Sequence, residues 1–302
     1  MNSFDLQIQT TASDGTHTPR ECVEMAKKNG VYTIAITDHD TVAGVAEALQ
    51  AGEELGVRVI PGIELSLRTH GMHLLGLGID TTHRPFLGVL AEAAENRKRA
   101  AAEMVRRFQA DGFSVSWEEV LREAKGAVVS RPHIVSAIMK RPENAEKLRG
   151  ITTKHDFFQR YFTDTSPYYV RASVLEPLPA IELIHAAGGV AVWSHPPIPD
   201  FVGDCSGLEA FLKELIGWGM DGLERFGAFL TEADADCLES LTARYPLIVT
   251  AGSDFHEAYD PAGKPWPRTA ATIGEFPTYG RSLDGILEAL DRAMERRRVL
   301  AG

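Results

Sequence analysis

The chain has 302 residues, 44% hydrophobic and 24% charged, the balance of a globular protein long enough for one barrel-sized domain with an insertion or for two ordinary domains. A formal net charge of −11 argues against binding long nucleic acid through bulk positive charge, but leaves room for a small phosphorylated substrate neutralised locally by metal ions. No apolar run approaches the roughly 18–20 residues of a membrane span, and the start shows no basic segment followed by an apolar stretch; no membrane partner and a cytoplasmic location are expected.

The first 80 residues alternate in a βαβ rhythm, which implies parallel strands. A strand over residues 4–9 precedes a helix whose start carries Thr18, Pro19 and Glu21, a capping-box arrangement, and whose end is Gly30. Strands over 32–37, 57–60 and 73–78 follow, with a helix over 41–55 that ends at Gly56. Between residues 81 and 170 the pattern turns helical. A long charged helix over 86–111 ends at Gly112, Ser116 and Glu119 form another capping box, and helices over 130–140 and 155–162 complete the insertion. From 171 to 302 the alternation resumes, with strands over 190–194, 222–225 and 247–251 and a last helix over 283–298. About seven βα units in two parts, 1–80 and 171–302, interrupted by a helical segment, suggest an α/β barrel with its chemistry at the strand ends. The three cysteines, Cys22, Cys205 and Cys237, are odd in number and far apart, and are read as small apolar packing residues.

The polar residues cluster after the strands. The first gives Gln7, Gln9 and then Asp14; the others give Asp38-His39-Asp40, Glu64, Ser194-His195 and Ser253-Asp254-Phe255-His256. In a parallel barrel these ends converge on one mouth, and converging imidazoles and carboxylates are the mixed donors that Zn²⁺, Mn²⁺ or Fe²⁺ take. His73 begins its strand, so that segment must run differently or kink. His17, His70, His83, His155 and His185 lie in turns or helices without a matching polar partner and are expected to be exposed or locally bonded.

The insertion adds Ser130-Arg131-Pro132-His133. With Ser130 as N-cap, Arg131 and His133 fall in a helix's first turn, where free backbone N–H groups favour an anion and an arginine fork suits phosphate. Arg97, Lys98 and Arg99 on the long helix are weaker candidates, because charge runs there are usually solvated.

Taken in order, SDGTHTP, ITDHD, PGIELS, HLLGLGID, SRPH, AGGVAVWSHP and GSDFH resemble the PHP (polymerase and histidinol phosphatase) family over nearly the whole chain, in particular its bacterial nucleotide-phosphatase and exoribonuclease-like branch. The resemblance implies a distorted seven-stranded α/β barrel with a helical insertion over its mouth, and two or three divalent ions, Mn²⁺ foremost, with Zn²⁺ or Fe²⁺ as alternatives. It implies that Glu64 bridges two ions, that His73 and His195 complete the second, that Asp14, His39 and His256 hold the third, and that Asp254 belongs to the first beside two histidines of a DLHxH motif. This chain reads Asp5-Leu6-Gln7-Ile8-Gln9 there. A neutral amide oxygen is a poorer ligand than imidazole for such metals, so the first ion should bind weakly or not at all, and Asp254 becomes available as a general base. The stretch 222–228 also departs from the family, which puts transfer of any relative's substrate in doubt. The function expected is metal-dependent hydrolysis of a phosphate ester on a nucleotide, such as a nucleoside bisphosphate, or a short oligonucleotide, with Arg131 and His133 on the phosphate. The alternative is a catalytically silent nucleotide- or phosphate-binding protein.

Overall fold

The apolar runs read as strands assemble into one seven-stranded sheet in sequence order. In the computed structural model, which describes residues 2–163, 165–196, 201, 203–228, 230–257 and 272–301, these are β1 (Phe4–Asp5), β2 (Thr33–Ile36), β3 (Arg58–Ser66), β4 (His73–Leu77), β5 (Val190–Trp193), β6 (Gly222–Gly227) and β7 (Ile248–Gly252). Beyond β1 the chain runs along β7: the Leu6 N–H donates to Ala251 O at 3.1 Å and the Gln9 N–H to Phe255 O at 2.9 Å. The sheet therefore nearly closes into a barrel. Gly252 permits the closure, since a Cβ there would lie 2.5 Å from the Gln7 Cβ. Every residue of β2 and β5 is buried, as expected for continuous apolar strands covered on both faces.

Four strand pairs are parallel, but β4 runs antiparallel to both β3 and β5. The reversal answers the problem posed by His73. Only a reversed strand brings its first residue to the mouth where the parallel strands end.

The barrel helices are α1 (Pro19–Lys28), α2 (Val45–Leu55), α7 (Pro177–Ala186), α8 (Cys205–Gly217), α9 (Glu232–Arg244) and α10 (Ile286–Ala301); between β4 and α7 lie α3 (Arg84–Ala110), α4 (Trp117–Ala124), α5 (Arg131–Met139) and α6 (Lys154–Tyr161). Thr18 and Glu21 cap α1 reciprocally, Ser116 and Glu119 cap α4, and Gly56 ends α2 in the left-handed region at φ 71°. Helices α3 to α6 share a hydrophobic cluster of their own, centred on Phe108 against Phe113, Phe157 and Phe162 and stacked on Tyr168 at 4.4 Å. An aromatic core this dense holds the four helices as a unit over the barrel.

Several expectations need correction. Strand β1 proper stops at Asp5, and Ile8 returns to the sheet only through a single bridge to Phe255. Strand β3 continues to Ser66, so Glu64 lies inside it rather than beyond its end. Cys205 and Cys237 form a disulfide between α8 and α9, with Cα atoms 5.9 Å apart; the helices flanking β6 bring together residues that spacing alone keeps apart. Cys22 is free and buried, as expected. His185 has a polar partner, Asp221 at 2.9 Å, supplied from just before β6. The side chain of His155 lies outside the described residues. Among those described, no helix is long and apolar enough to cross a membrane.

Candidate metal centre

Two carboxylates outside the ligand set build the walls. Asp38 accepts hydrogen bonds from Thr10 N at 2.7 Å, Thr10 Oγ1 at 2.8 Å and Ser13 Oγ at 2.6 Å, which fixes the loop that presents Asp14. Asp5 accepts from Ser253 N and Gly274 N, both at 2.8 Å, tying β1 to the segment after β7 that carries Asp254 and His256. Gly15 is required because a Cβ there would lie 2.3 Å from Gln9 O. Three non-glycine residues at the strand ends take positive φ: Asp40 at 53°, His195 at 33° and Asp254 at 53°. Such conformations cost of order 1–3 kcal/mol each and persist where the surroundings over-determine them.

The ligand-type side chains expected from the sequence converge. Asp14, His39 and His256 form one group whose donor atoms lie within 4.8 Å of one another, and His39, Glu64 and His73 form a second. His39 belongs to both: its Nε2 is 3.9 Å from Asp14 Oδ1 and its Nδ1 is 3.6 Å from Glu64 Oε2. His256 Nε2 stands 3.6 Å from Asp14 Oδ1. Glu64, fully buried, meets His73 Nδ1 at 2.8 Å and His195 Nε2 at 3.1 Å through Oε1. Asp14 Oδ1 and His39 Nδ1 are buried atoms without a hydrogen-bond partner. Buried polar atoms are rarely left so. The pairing of orphaned oxygen and nitrogen donors with mixed imidazole and carboxylate chemistry fits divalent transition metals at these two positions.

Electrostatics agree. Burial opposes ionisation of Glu64, yet the charges of His39 and His73 and hydrogen bonds from His195 and His73 outweigh it and hold the carboxyl well below its usual range. Asp14 is likewise lowered against its burial by His39, His256 and Arg97. Burial lowers His73. His195 overcomes burial through its hydrogen bond to Glu64 and is pushed up to about 9, as is His256 through the charges of Asp254 and Asp14. Asp254 is raised, chiefly by burial, and Glu224, whose Oε2 accepts from the His195 N–H at 2.8 Å, is raised well above its usual value for the same reason.

The position of a first ion is built differently. Gln7 Nε2 donates to Asp254 Oδ1 at 3.0 Å and to Ser194 Oγ at 2.9 Å, and Gln9 Nε2 donates to Glu64 Oε2 at 2.7 Å. The amide nitrogens, not the oxygens, face the carboxylates; the opposite orientation would set oxygen against negative oxygen. Gln7 Oε1 and Gln9 Oε1 are left buried without a hydrogen-bond partner, but a neutral amide oxygen is a poorer ligand than imidazole and N–H donors already hold Asp254 Oδ1 and Glu64 Oε2, so this position fits a metal ion less well than the other two.

A cavity of about 270 Å³ stands over the two groups, with Arg97, Arg131 and Phe158 on its insertion side and Asp254 in its floor. Arg131 lies 5.7 Å from the Phe158 ring centre and 5.3 Å from that of Tyr169, a cation–π setting that fixes its fork. His133 does not share this wall. Its Nδ1 accepts from Ser130 N at 3.1 Å, closing the first turn of α5, and its ring lines an adjoining cavity. Arg97 corrects the expectation of a solvated charge run: it donates to Asp40 Oδ2 at 2.5 Å and to Ser66 Oγ at 2.6 Å inside the cavity wall, whereas Lys98 and Arg99 are exposed. Its place on the buried stripe of α3, seven residues from both Leu90 and Met104, is the sequence signal that marks it.

Comparison with known proteins decides the family. The PHP domain model matches residues 5–172. The chain belongs to the PHP family. Among its relatives, a 5′-3′ exoribonuclease of Haemophilus influenzae is 30% identical over 84% of this chain and 89% of its own length. A phosphoribosyl 1,2-cyclic phosphate 1,2-diphosphodiesterase of Eggerthella lenta is 32% identical over 83% and 93%, and a 3′,5′-nucleoside bisphosphate phosphatase of Chromobacterium violaceum is 27% identical over 85% and 88%. The crystal structure of a proposed metal-dependent phosphoesterase from Bifidobacterium adolescentis superimposes with a TM-score of 0.76 at 29% identity, over 96% of each chain. This PHP protein is a metal-dependent phosphoesterase, a phosphoric ester hydrolase.

Proposed function

We propose that this PHP protein hydrolyses a terminal phosphate ester of a nucleotide, such as a nucleoside bisphosphate, or of a short oligonucleotide, with two divalent ions rather than three. Asp14, His39 and His256 would hold one, and Glu64, His73 and His195 the other. When bound, such ions polarise the phosphoryl oxygens and acidify water at neutral pH. Mn²⁺ is the first choice, with Zn²⁺ or Fe²⁺ compatible with the same donors. The observation that carries this reading is that Asp14, His39 and His256 converge, that Glu64 meets His39, His73 and His195, and that all of these but Glu64 line one cavity with Arg131.

The chain's own residues do the rest. Arg131 offers its planar fork to the terminal phosphate, and its position against Phe158 and Tyr169 limits how far that fork turns. Asp254 takes the proton of the attacking water; its raised carboxyl pKa suits a group that must accept a proton near neutrality. The bond between phosphorus and the ester oxygen breaks, and the nucleoside monophosphate or the dephosphorylated oligonucleotide leaves with that oxygen. Helices α3 and α5, which carry Arg97 and Arg131, cover the site and limit the size of what enters. The relatives that are an exoribonuclease and a nucleoside bisphosphate phosphatase support this substrate class.

The test is release of inorganic phosphate from a nucleoside 3′,5′-bisphosphate and from a 5′-phosphorylated oligoribonucleotide, with Mn²⁺ present. Turnover of either is expected. A protein that retains its ions and turns over neither overturns the reading.

A further inference from the structure

A second cavity, of about 250 Å³, lies where the loop after β1 meets α4, α5 and the start of α6. Asp14 and Pro132 line both this cavity and the first, so the two adjoin at the metal-ligand group. Its chemistry runs against that of the molecule. In a chain of net charge −11, four cations, Arg122, Lys125, Lys140 and Lys154, line one small recess, with Glu123 and Asp14 as the acidic groups.

The sequence makes this wall in two ways. On α5, residues 133, 136 and 140 fall on one helical stripe, opposite the buried Ile134, Val135, Ala137 and Ile138, so His133, Ser136 and Lys140 face the cavity together. Helix α4 ends with Lys125 in the left-handed region at φ 49°, which turns its side chain out of the helix line. Lys140 is neutralised by Glu123, whose two oxygens lie at 2.6 and 2.7 Å. Lys125 and Lys154 form no ion pair among the described residues, and Lys154 acts on His133 as an added positive charge. Two lysine charges are therefore left facing a recess that opens from the catalytic cavity.

We propose that this second cavity is a phosphodiester subsite, in which Lys125 and Lys154 take the inner phosphates of a short single-stranded oligonucleotide whose terminal phosphate lies against Arg131 in the first. The inference rests on the proposed function for the position of that terminal phosphate. It makes the protein more selective for an oligonucleotide than for a mononucleotide, through the charge of the two lysines.

The experiment measures binding without turnover. Fluorescence anisotropy with a 3′-labelled, 5′-phosphorylated tetraribonucleotide, in chelator, is compared with displacement of that probe by a nucleoside 5′-monophosphate, over a range of salt concentrations. The parent should prefer the tetranucleotide by about tenfold or more. A Lys125→Ala, Lys154→Ala variant should lose most of that preference, keep its mononucleotide affinity within about twofold, and show a log–log salt slope shallower by about 1.4, the value for two phosphate contacts on a single strand. Lys125 is exposed and Lys154 half-buried, and the variant should unfold at the parent's denaturant midpoint. A parent with no preference for the tetranucleotide, or a variant that keeps both preference and slope, overturns the subsite. Preference and slope that behave as expected in a protein that hydrolyses neither substrate with Mn²⁺ would uphold the subsite and defeat the proposed function instead.

Discussion

Asp254 and Asp14 line the same cavity and differ in what satisfies them. Asp254 Oδ1 accepts a hydrogen bond from Gln7 at 3.0 Å, while Asp14 Oδ1 is buried with no hydrogen-bond partner, within 4 Å of the His39 and His256 imidazoles. Glu64 stands between the two conditions, with Oε2 held by Gln9 at 2.7 Å and Oε1 facing His73 and His195. The chain closes one side of its centre with its own amide donors and leaves the other to be completed by a cation. One scaffold can therefore lose an ion position without losing the arrangement of its carboxylates, because an N–H group also offers partial positive charge where an ion would have stood.

The largest effect expected from breaking the comparison is on the open side. Asp14→Asn should lower phosphate release on the order of 10³-fold, the scale of losing a transition-state-stabilising donor, and should remove one bound ion; activity within tenfold of the parent would contradict the role of Asp14. On the closed side the effect falls on stability. Gln7→Ala or Gln9→Ala leaves a buried carboxylate without its donor and should cost about 1.5–3 kcal/mol each in metal-free denaturant unfolding, whereas an unchanged midpoint would mean the amides do not satisfy Asp254 and Glu64. Arg131→Ala sharpens the division of labour between ions and phosphate. It should lower kcat/KM by about tenfold to a hundredfold, as loss of a charged hydrogen bond implies, with ion content unchanged.

A further effect is a pH dependence. In the metal-free chain His195 and His256 titrate near 9, above their ordinary 6.5. Their raised values stabilise the fold fully below the unfolded value, and that contribution is lost as pH rises through about 9. An ion must displace the same protons, so apparent affinity should rise by about tenfold per pH unit for each proton released, up to about pH 9. Calorimetry in buffers of different ionisation enthalpy reads the proton count. Affinity independent of pH between 6.5 and 9 would place both imidazoles in their neutral state beforehand.

Much of this centre is legible in the sequence because most of its ligand-type residues lie at or near the ends of β-rich runs, and strand ends in such a fold meet at one place. His73, which begins its strand, signals that this segment runs differently or kinks, and the pairing of β4 shows that it reverses. Other features depend on contacts between distant segments. The burial of Arg97 comes from Asp40, whose positive φ turns its carboxylate towards α3; a charge run conceals it unless its place on the apolar stripe is counted. The Cys205–Cys237 pair needs the packing of α8 beside α9. His133 and Arg131, two residues apart at the start of one helix, line different cavities because successive helical positions turn by about 100°. The glutamines reveal from sequence that imidazoles are missing, but that their amides bind the vacated carboxylates needs the distances.

The most direct test is therefore a count of ions. The protein loaded with excess Mn²⁺, desalted and analysed by plasma mass spectrometry should hold two ions per chain, and its Gln7→His, Gln9→His variant three. Three ions in the unaltered chain would contradict the account, because Gln7 and Gln9 would then be ligands rather than donors that close the site.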